Sequence, residues 1–266
     1  PPFPAARRPT VRGRRRTQVF WWEAEVGEGV RVAFTDRRAG NLALHTGDDA
    51  AAVRARRAGL ERVMGVPRGS LLFLEQVHGT EVADADRQGR ETVPVADAAV
   101  SASASPLAVM VADCVPVVLV GRGASGPVTG VAHAGRRGLL DGVLERAVER
   151  LRGRGAGAAT AWIGPSICGS CYEVPARMRT QAAARVPSLA ATTSWGTPAL
   201  DLRSGARERL SALGVEVVEP AGGPGPACTR ENSALSSHRR DPGSGRIAGL
   251  VWRGGAPGPG RRERAA

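Results

Sequence analysis

Three residues of chemically useful type stand at the ends of apolar runs: His78 in QVHG, Cys114 in VADCVP and His133 in VAHAG. Each lies beside Gly, Pro or a sharp turn, which is where α/β folds place reactive groups. Two imidazoles and a thiolate make an open zinc site, with a fourth position left for water or substrate. The same three residues suit a Cys nucleophile with a His base. A plainer alternative is two turn histidines and one buried thiol, because separations of 36 and 19 residues match no short-range metal motif.

Other polar groups stand further along the chain. Cys168 and Cys171 form a C-x-x-C without a second pair at zinc-ribbon distance. Redox motifs of that spacing open a helix, whereas Tyr172–Glu173–Val174–Pro175 follows here, so a structural or incidental role is expected. Cys228 has no sequence neighbour to pair with and reads as packing. Arg136 and Arg137 begin a helix, where cationic side chains beside an N-terminus can receive an anion; a solvated helix start is the plain alternative. His238, Arg239 and Arg240 offer a second basic cluster, or a surface loop.

The elements that must position these groups alternate in type. Val30–Phe34 reads as a strand and Asp49–Val63 as a helix capped near Asp48 or Asp49. Leu71–His78 alternates as a strand that ends at His78, with Leu72, Leu74, Gln76 and His78 on one face. Leu107–Val120 predicts two buried strands hinged around Asp113–Pro116, and Val128–His133 a further strand. Leu139, Leu140, Val143, Leu144, Ala147, Val148 and Leu151 mark one helical stripe. Ala161–Ile167 is strand-like, and Asp201 caps a helix ended by Gly214. Val215–Val218 and Ile247–Trp252 complete the strands. This is an α/β chain with mixed sheet and no obvious linker, so residues 17–252 are expected to form one domain. Residues 1–16 and 253–266, rich in Pro, Gly and Arg, are expected to be disordered basic tails.

Composition narrows the chemistry. With 42% hydrophobic residues in 266, the chain can bury a substantial core. No apolar run approaches the ~20 residues of a membrane span. All 37 basic residues are Arg. Without Lys there is no Schiff base and no Walker-type phosphate loop, so phosphate must be met by Arg or backbone N–H groups. Of the net +12, the first sixteen residues carry +6 and those after Val251 carry +3, leaving an ordinary +3 for the middle. That distribution, with only 4% aromatics, argues against a nucleic-acid binder. Glu23 and Glu25 cut the apolar stretch after Arg14–Arg16 too short for an export signal, and four Cys form no disulfide framework, so a cytoplasmic protein is expected.

Seven boxes in order then resemble one family. They are NLALHTGDD (41–49), EQVHGTEV (75–82), ADAAVSASASPLAVMVADCVPVVLV (96–120), VAHAGRRGLLDGVLERAV (131–148), AWIGPSICGSCYEV (161–174), DLRSGARERLSALGV (201–215) and CTRENSALSSHRRDPGSGRIAGLVW (228–252). The chain is similar to the laccase-domain or polyphenol-oxidase-like family, whose members resemble purine nucleoside phosphorylases in activity. The resemblance implies a single-domain α/β/β/α sandwich holding one metal, zinc or alternatively copper, on His78, Cys114 and His133. It implies phosphorolysis of adenosine, inosine, guanosine and methylthioadenosine, with adenosine deamination as a side activity. Some relatives act instead on peptidoglycan precursors. Copper-driven phenol oxidation is the older label, but a four-copper relay cannot be assembled from His45, His78, His133 and His238 alone. Arg137, Arg239, Arg240 and Asn41 match family positions and are the candidates for binding substrate or phosphate. A monomer or weak dimer is expected. The chain departs from the family where HAGWRG reads HAGRRG, putting Arg136 in place of an aromatic, and where the usual Asn-Arg is missing around Arg54–Arg57. Both departures bear on substrate choice.

Overall fold

The computed structural model describes residues 19–87 and 92–254. The expected tails lie outside these, except that Arg253 and Gly254 are ordered. Arg253 pairs with Val30, and the Gly254 N–H donates to Gly29 at 2.8 Å.

In chain order the elements are β1 (Phe20–Gly27), β2 (Val30–Thr35), α1 (Ala50–Met64), β3 (Val82–Asp84), β4 (Ala98–Ser101), β5 (Leu107–Val111), β6 (Val115–Gly123) and β7 (Gly126–Ala134). Then come α2 (Arg136–Asp141), α3 (Val143–Gly153), β8 (Ala156–Ile163), α4 (Ala176–Arg185), β9 (Ala190–Thr192), β10 (Pro198–Leu200), α5 (Leu202–Ala212), β11 (Glu216–Val218) and β12 (Ile247–Arg253). One sheet is antiparallel, in the order β1-β2-β12-β5. The other is mixed, in the order β11-β8-β6-β7-β4-β3, with parallel pairs at its two edges; β9 and β10 form a separate hairpin.

Period-two burial decides how these sheets stack. Val117 and Leu119 of β6 point to one side, where they meet Val143, Leu144, Ala147, Val148 and Leu151 of α3 and Leu202, Ala206 and Leu210 of α5. Val118 and Val120 point to the other, against Val32 and Phe34 of β2, Val109 of β5 and Val251 of β12. The far face of that antiparallel sheet buries Ala33, Met110, Leu250 and Trp252 beneath Leu60 and Met64 of α1. The layers are therefore helix, sheet, sheet, helix, as expected. Each fully buried aliphatic side chain contributes about 1.5–3 kcal/mol. Strands with both faces covered explain the unbroken apolar runs of β5 and β6.

Local signals set several boundaries. Asp49 caps α1 by accepting from Ala52 N at 2.7 Å, and Asp201 caps α5 by accepting from Ser204 N at 3.0 Å. Two expectations need correction. The stripe Leu139–Leu151 is not one helix: Gly142 takes a left-handed conformation (φ 98°) and separates α2 from α3, while Leu139 and Leu151 still reach the same core. The segment Leu71–His78 is not a strand and makes only isolated bridges, Leu72 to Leu107 and Glu75 to Val95. Its alternation is nonetheless used, since Leu71 and Phe73 enter the α1-side core and Leu72 and Leu74 the inter-sheet core. Gln76 replaces the missing ladder with its side chain, donating to Met110 O and accepting from Met110 N, both at 2.8 Å.

Candidate metal centre

Cys114 directly precedes β6, and His133 is the penultimate residue of β7, which pairs with β6. His78 arrives from the extended segment beside β5. His78 Nε2 lies 3.8 Å from Cys114 Sγ, and the two imidazole rings meet edge to face with centroids 4.8 Å apart. One ligand atom from each of the three residues falls within 4.8 Å of the others. His133 is 3% exposed, whereas His78 is open to solvent and Cys114 half-buried, so the cluster is covered on one side only.

Asp97, fully buried just before β4, organises this geometry. His133 Nδ1 donates to its Oδ1 at 2.8 Å, leaving Nε2 as the free lone pair. The same carboxylate accepts from the backbone N–H groups of Val77 (3.1 Å), His78 (3.0 Å) and Gly79 (2.7 Å). Its own carbonyl accepts from His133 N at 2.7 Å. The turn so held puts His78 at φ 61°, a left-handed conformation that few non-glycine residues adopt. Gly135 completes the cradle, because a Cβ there would lie 2.7 Å from His78 Cδ2 and 3.2 Å from Cys114 Sγ.

Electrostatics couples the ligands. Burial opposes ionisation of Cys114, yet the charge and hydrogen bonds of His133, with a contribution from His78, hold its thiol below the usual range. Burial likewise opposes protonation of His133, but the Cys114 thiolate and Asp97 pull it upward. A soft thiolate, two imidazoles and a fixed tautomer fit a tetrahedral cation with one open position.

These residues open into a cavity of about 300 Å³ that Gln76, Asp113, Tyr172, His238, Arg239 and Arg246 also line. Among the predicted anion binders, Arg239 lies on this wall, its guanidinium 5.1 Å from the Tyr172 ring centroid and donating to Glu173 O at 2.9 Å. Arg240 is turned away and donates to the carbonyls of Thr229, Arg230, Asn232 and Leu235. Arg137 is exposed on the first turn of α2, outside the cavity lining. Asn41 lines a neighbouring surface depression, and its side chain bonds Ala43, Thr46, Asp48 and Arg246 N. Arg136, in place of the family aromatic, flanks Tyr172 together with Arg239.

Sequence reasoning missed Asp97, Asp113, Tyr172 and Arg246. Asp97 had a signal: a carboxylate inside the apolar run ADAAV must find buried donors. Asp113 sits at φ 95°, a strained position held by Thr229 Oγ1 (2.6 Å) and Arg239 N (2.7 Å) on its carboxylate and by Ile167 N (3.0 Å) on its carbonyl. Arg246 follows a glycine in an unremarked loop, and nothing local marked it.

Fold and site together define an α/β/β/α sandwich protein with a two-histidine, one-cysteine centre at the mouth of a cationic pocket. The profile of the family described as multi-copper polyphenol oxidoreductase laccase matches residues 28–254, and the chain belongs to that family. It is 43% identical to a purine nucleoside phosphorylase of Streptomyces coelicolor over 240 residues, covering 84% of this chain and 96% of the relative. A purine nucleoside phosphorylase of Streptomyces griseus is 42% identical, covering 86% and 96%. Among solved structures, the Neisseria meningitidis protein NMB0706 superposes with a TM-score of 0.73 at 31% identity, covering 86% of this chain and 96% of its own. YlmD of Geobacillus stearothermophilus gives 0.74 at 28% identity, covering 89% and 99%. Despite the family's description, the described residues offer one His-containing ligand cluster. No helix among them is long and apolar enough to cross a membrane.

Proposed function

We propose that this chain is a cytoplasmic, metal-dependent purine nucleoside phosphorylase, working as a single catalytic domain and as a monomer or weak dimer. The observation that carries the reading is the convergence of His78, Cys114 and His133 on a small cavity walled by Arg239 and Arg246, in a chain closely similar to proteins of that name. The substrates are a purine nucleoside, with adenosine, inosine, guanosine and methylthioadenosine in the class, and inorganic phosphate.

His78, Cys114 and His133 would hold zinc, which these ligands suit better than copper. When bound, the ion supplies a fixed positive charge and lowers the pKa of water at its open position. Arg239 and Arg246 bring the phosphate dianion to the sugar, and Tyr172 offers an aromatic face to the base. Phosphate oxygen then bonds to ribose C1′ as the C1′–N9 bond breaks. Its electron pair stays on the purine nitrogen, which takes the proton that the hydrogen phosphate gives up as it becomes an ester, yielding the free base and the sugar 1-phosphate. Adenosine deamination, in which water oxygen bonds to C6 and the amino group leaves as ammonia to give inosine, is the side activity. Gln76, held at both ends by Met110, keeps one wall rigid so that the reacting groups are positioned before substrate arrives.

Incubation of purified protein with adenosine, with and without phosphate, tests this by chromatography of the purines. Adenine that forms only with phosphate is expected, and inosine reports deamination. No turnover by zinc-loaded protein would reject the assignment. A second reading makes Cys114 a nucleophile with His133 as base, cleaving an amide in peptidoglycan precursors. The lowered Cys114 thiol favours it; a tightly held metal, which would occupy that thiolate, counts against it.

A further inference from the structure

We propose that Cys168, Cys171, Cys228 and Glu231 form a second, structural metal site for a zinc-like divalent cation, separate from the histidine centre. Cys228, which the sequence left without a partner, is brought next to the C-x-x-C by the fold. One ligand atom from each of the four residues lies within 4.8 Å of the others. A tetrahedral ion with metal–sulfur bonds of ~2.3 Å needs sulfur separations of roughly 3.8 Å, so closure asks for small side-chain adjustments. Cys171 Sγ already stands 3.2 Å from Glu231 Oε1, and Cys168 Sγ 3.8 Å from the same oxygen.

The backbone has the form of two facing knuckles. In the first, Cys171 N and Tyr172 N both donate to Cys168 O at 3.0 Å. Gly169 inside it permits close packing, since a Cβ would lie 2.9 Å from Asp201 Cβ and 3.0 Å from Ala191 Cβ. In the second, Asn232 N donates to Cys228 O at 3.0 Å. A bridge between Ser166 and Cys228 locks the two together, Ser166 N to Ala227 O and Thr229 N to Ser166 O, each at 3.1 Å. The ligand pattern is thus C-x-x-C and C-x-x-E, a zinc-knuckle spacing in which a carboxylate takes the fourth thiolate's place. Arg230 donates to Cys171 O at 3.1 Å and places positive charge beside an anionic ligand set.

A redox role fits less well. A redox dithiol works as an isolated pair, whereas here Cys228 and Glu231 stand within the same 4.8 Å as Cys168 and Cys171. A metal would deprotonate them, and its binding would stabilise the fold. Half-exposed Cys168 and exposed Glu231 give the ion its way in. The two clipped loops carry Tyr172, His238 and Arg239 to the cavity and Thr229 to Asp113. The ion would act by tying one cavity wall together.

The test is metal content per chain for the full protein, purified under reducing conditions and loaded with zinc. Two equivalents are expected. Cys114→Ser should retain one, and Cys168→Ser with Glu231→Gln, both at accessible positions, should also retain one. Loaded instead with cobalt, Cys114→Ser should absorb in the thiolate-to-metal band about three-fold more strongly than the double variant, since three thiolates replace one. Cys114→Ser protein that folds yet binds no zinc would overturn the proposal, as would a Cys168–Cys171 disulfide in the unreduced chain. Absence of phosphorolysis from protein holding two equivalents would reject the functional reading and leave this one standing.

Discussion

His133 Nδ1 donates to Asp97 Oδ1 at 2.8 Å, and the same carboxylate gathers three consecutive backbone N–H groups from Val77 to Gly79. One buried side chain therefore positions both histidines, one through its ring and the other through its backbone. Asp97→Asn keeps an acceptor but disturbs the His133 tautomer, and metal affinity should fall about 10–100-fold. Competition with a chromophoric chelator reads this directly; unchanged affinity would show that Asp97 serves folding alone.

Gly135→Ala should damage the centre without unfolding the protein. The added methyl would press on His78 and Cys114, so the ligands must move by several tenths of an ångström or more. Misplacement of reacting groups on the scale of 1 Å costs about 100-fold in rate. Turnover of adenosine in phosphate, measured beside the melting temperature, should show the first falling and the second nearly constant.

Arg239 and Arg240 are neighbours with opposite assignments. Arg239→Ala should raise KM for phosphate at least tenfold with little loss of stability, because its side chain makes a single backbone bond. Arg240→Ala instead orphans the carbonyls it holds, and should cost about 2–4 kcal/mol in urea unfolding, as loss of a network of charge-assisted hydrogen bonds does. Equal effects of the two changes on KM and stability would contradict that division.

Asp86 gives the acid limb of stability. Burial works against its ionisation, but Ser103 Oγ (2.6 Å), Ser101 Oγ (2.7 Å), Ala102 N (2.7 Å) and Arg154 (2.7 Å) outweigh it and hold the carboxyl well below the usual range. A depressed pKa stabilises the fold above the unfolded value of ~3.9, and the contribution fades as pH falls below it towards the folded value. Asp86→Asn should flatten this loss, followed by circular dichroism as the pH falls from about 5 to below 2.

Gly164→Ala probes the join between the sheets. Its methyl would sit 2.3 Å from the Phe34 ring, and overpacking of that kind costs about 1–3 kcal/mol. Phe34→Leu should relieve part of the strain, so the double variant should unfold at higher urea than the sum of the single losses predicts.

The physics that can be read from one sequence acts over a few residues. Alternation along β6 sorts Val117 and Leu119 from Val118 and Val120, and it follows from the two-residue period of an extended chain. Asp49 and Asp201 announce helix starts because capping satisfies N–H groups within one turn. Resemblance to a family added His78, Cys114 and His133 as a set, which their spacing left open. What the sequence left undecided depends on distant groups meeting. Gly142 could not be told from a tolerated helix glycine until the packing of α2 and α3 required a bend. Gln76 imitates a strand partner only because Met110 lies opposite. Asp97, Arg246 and Cys228 gained roles through neighbours 18 to more than 100 residues away, since a buried carboxylate, guanidinium or thiol is defined by whichever donors and charges surround it.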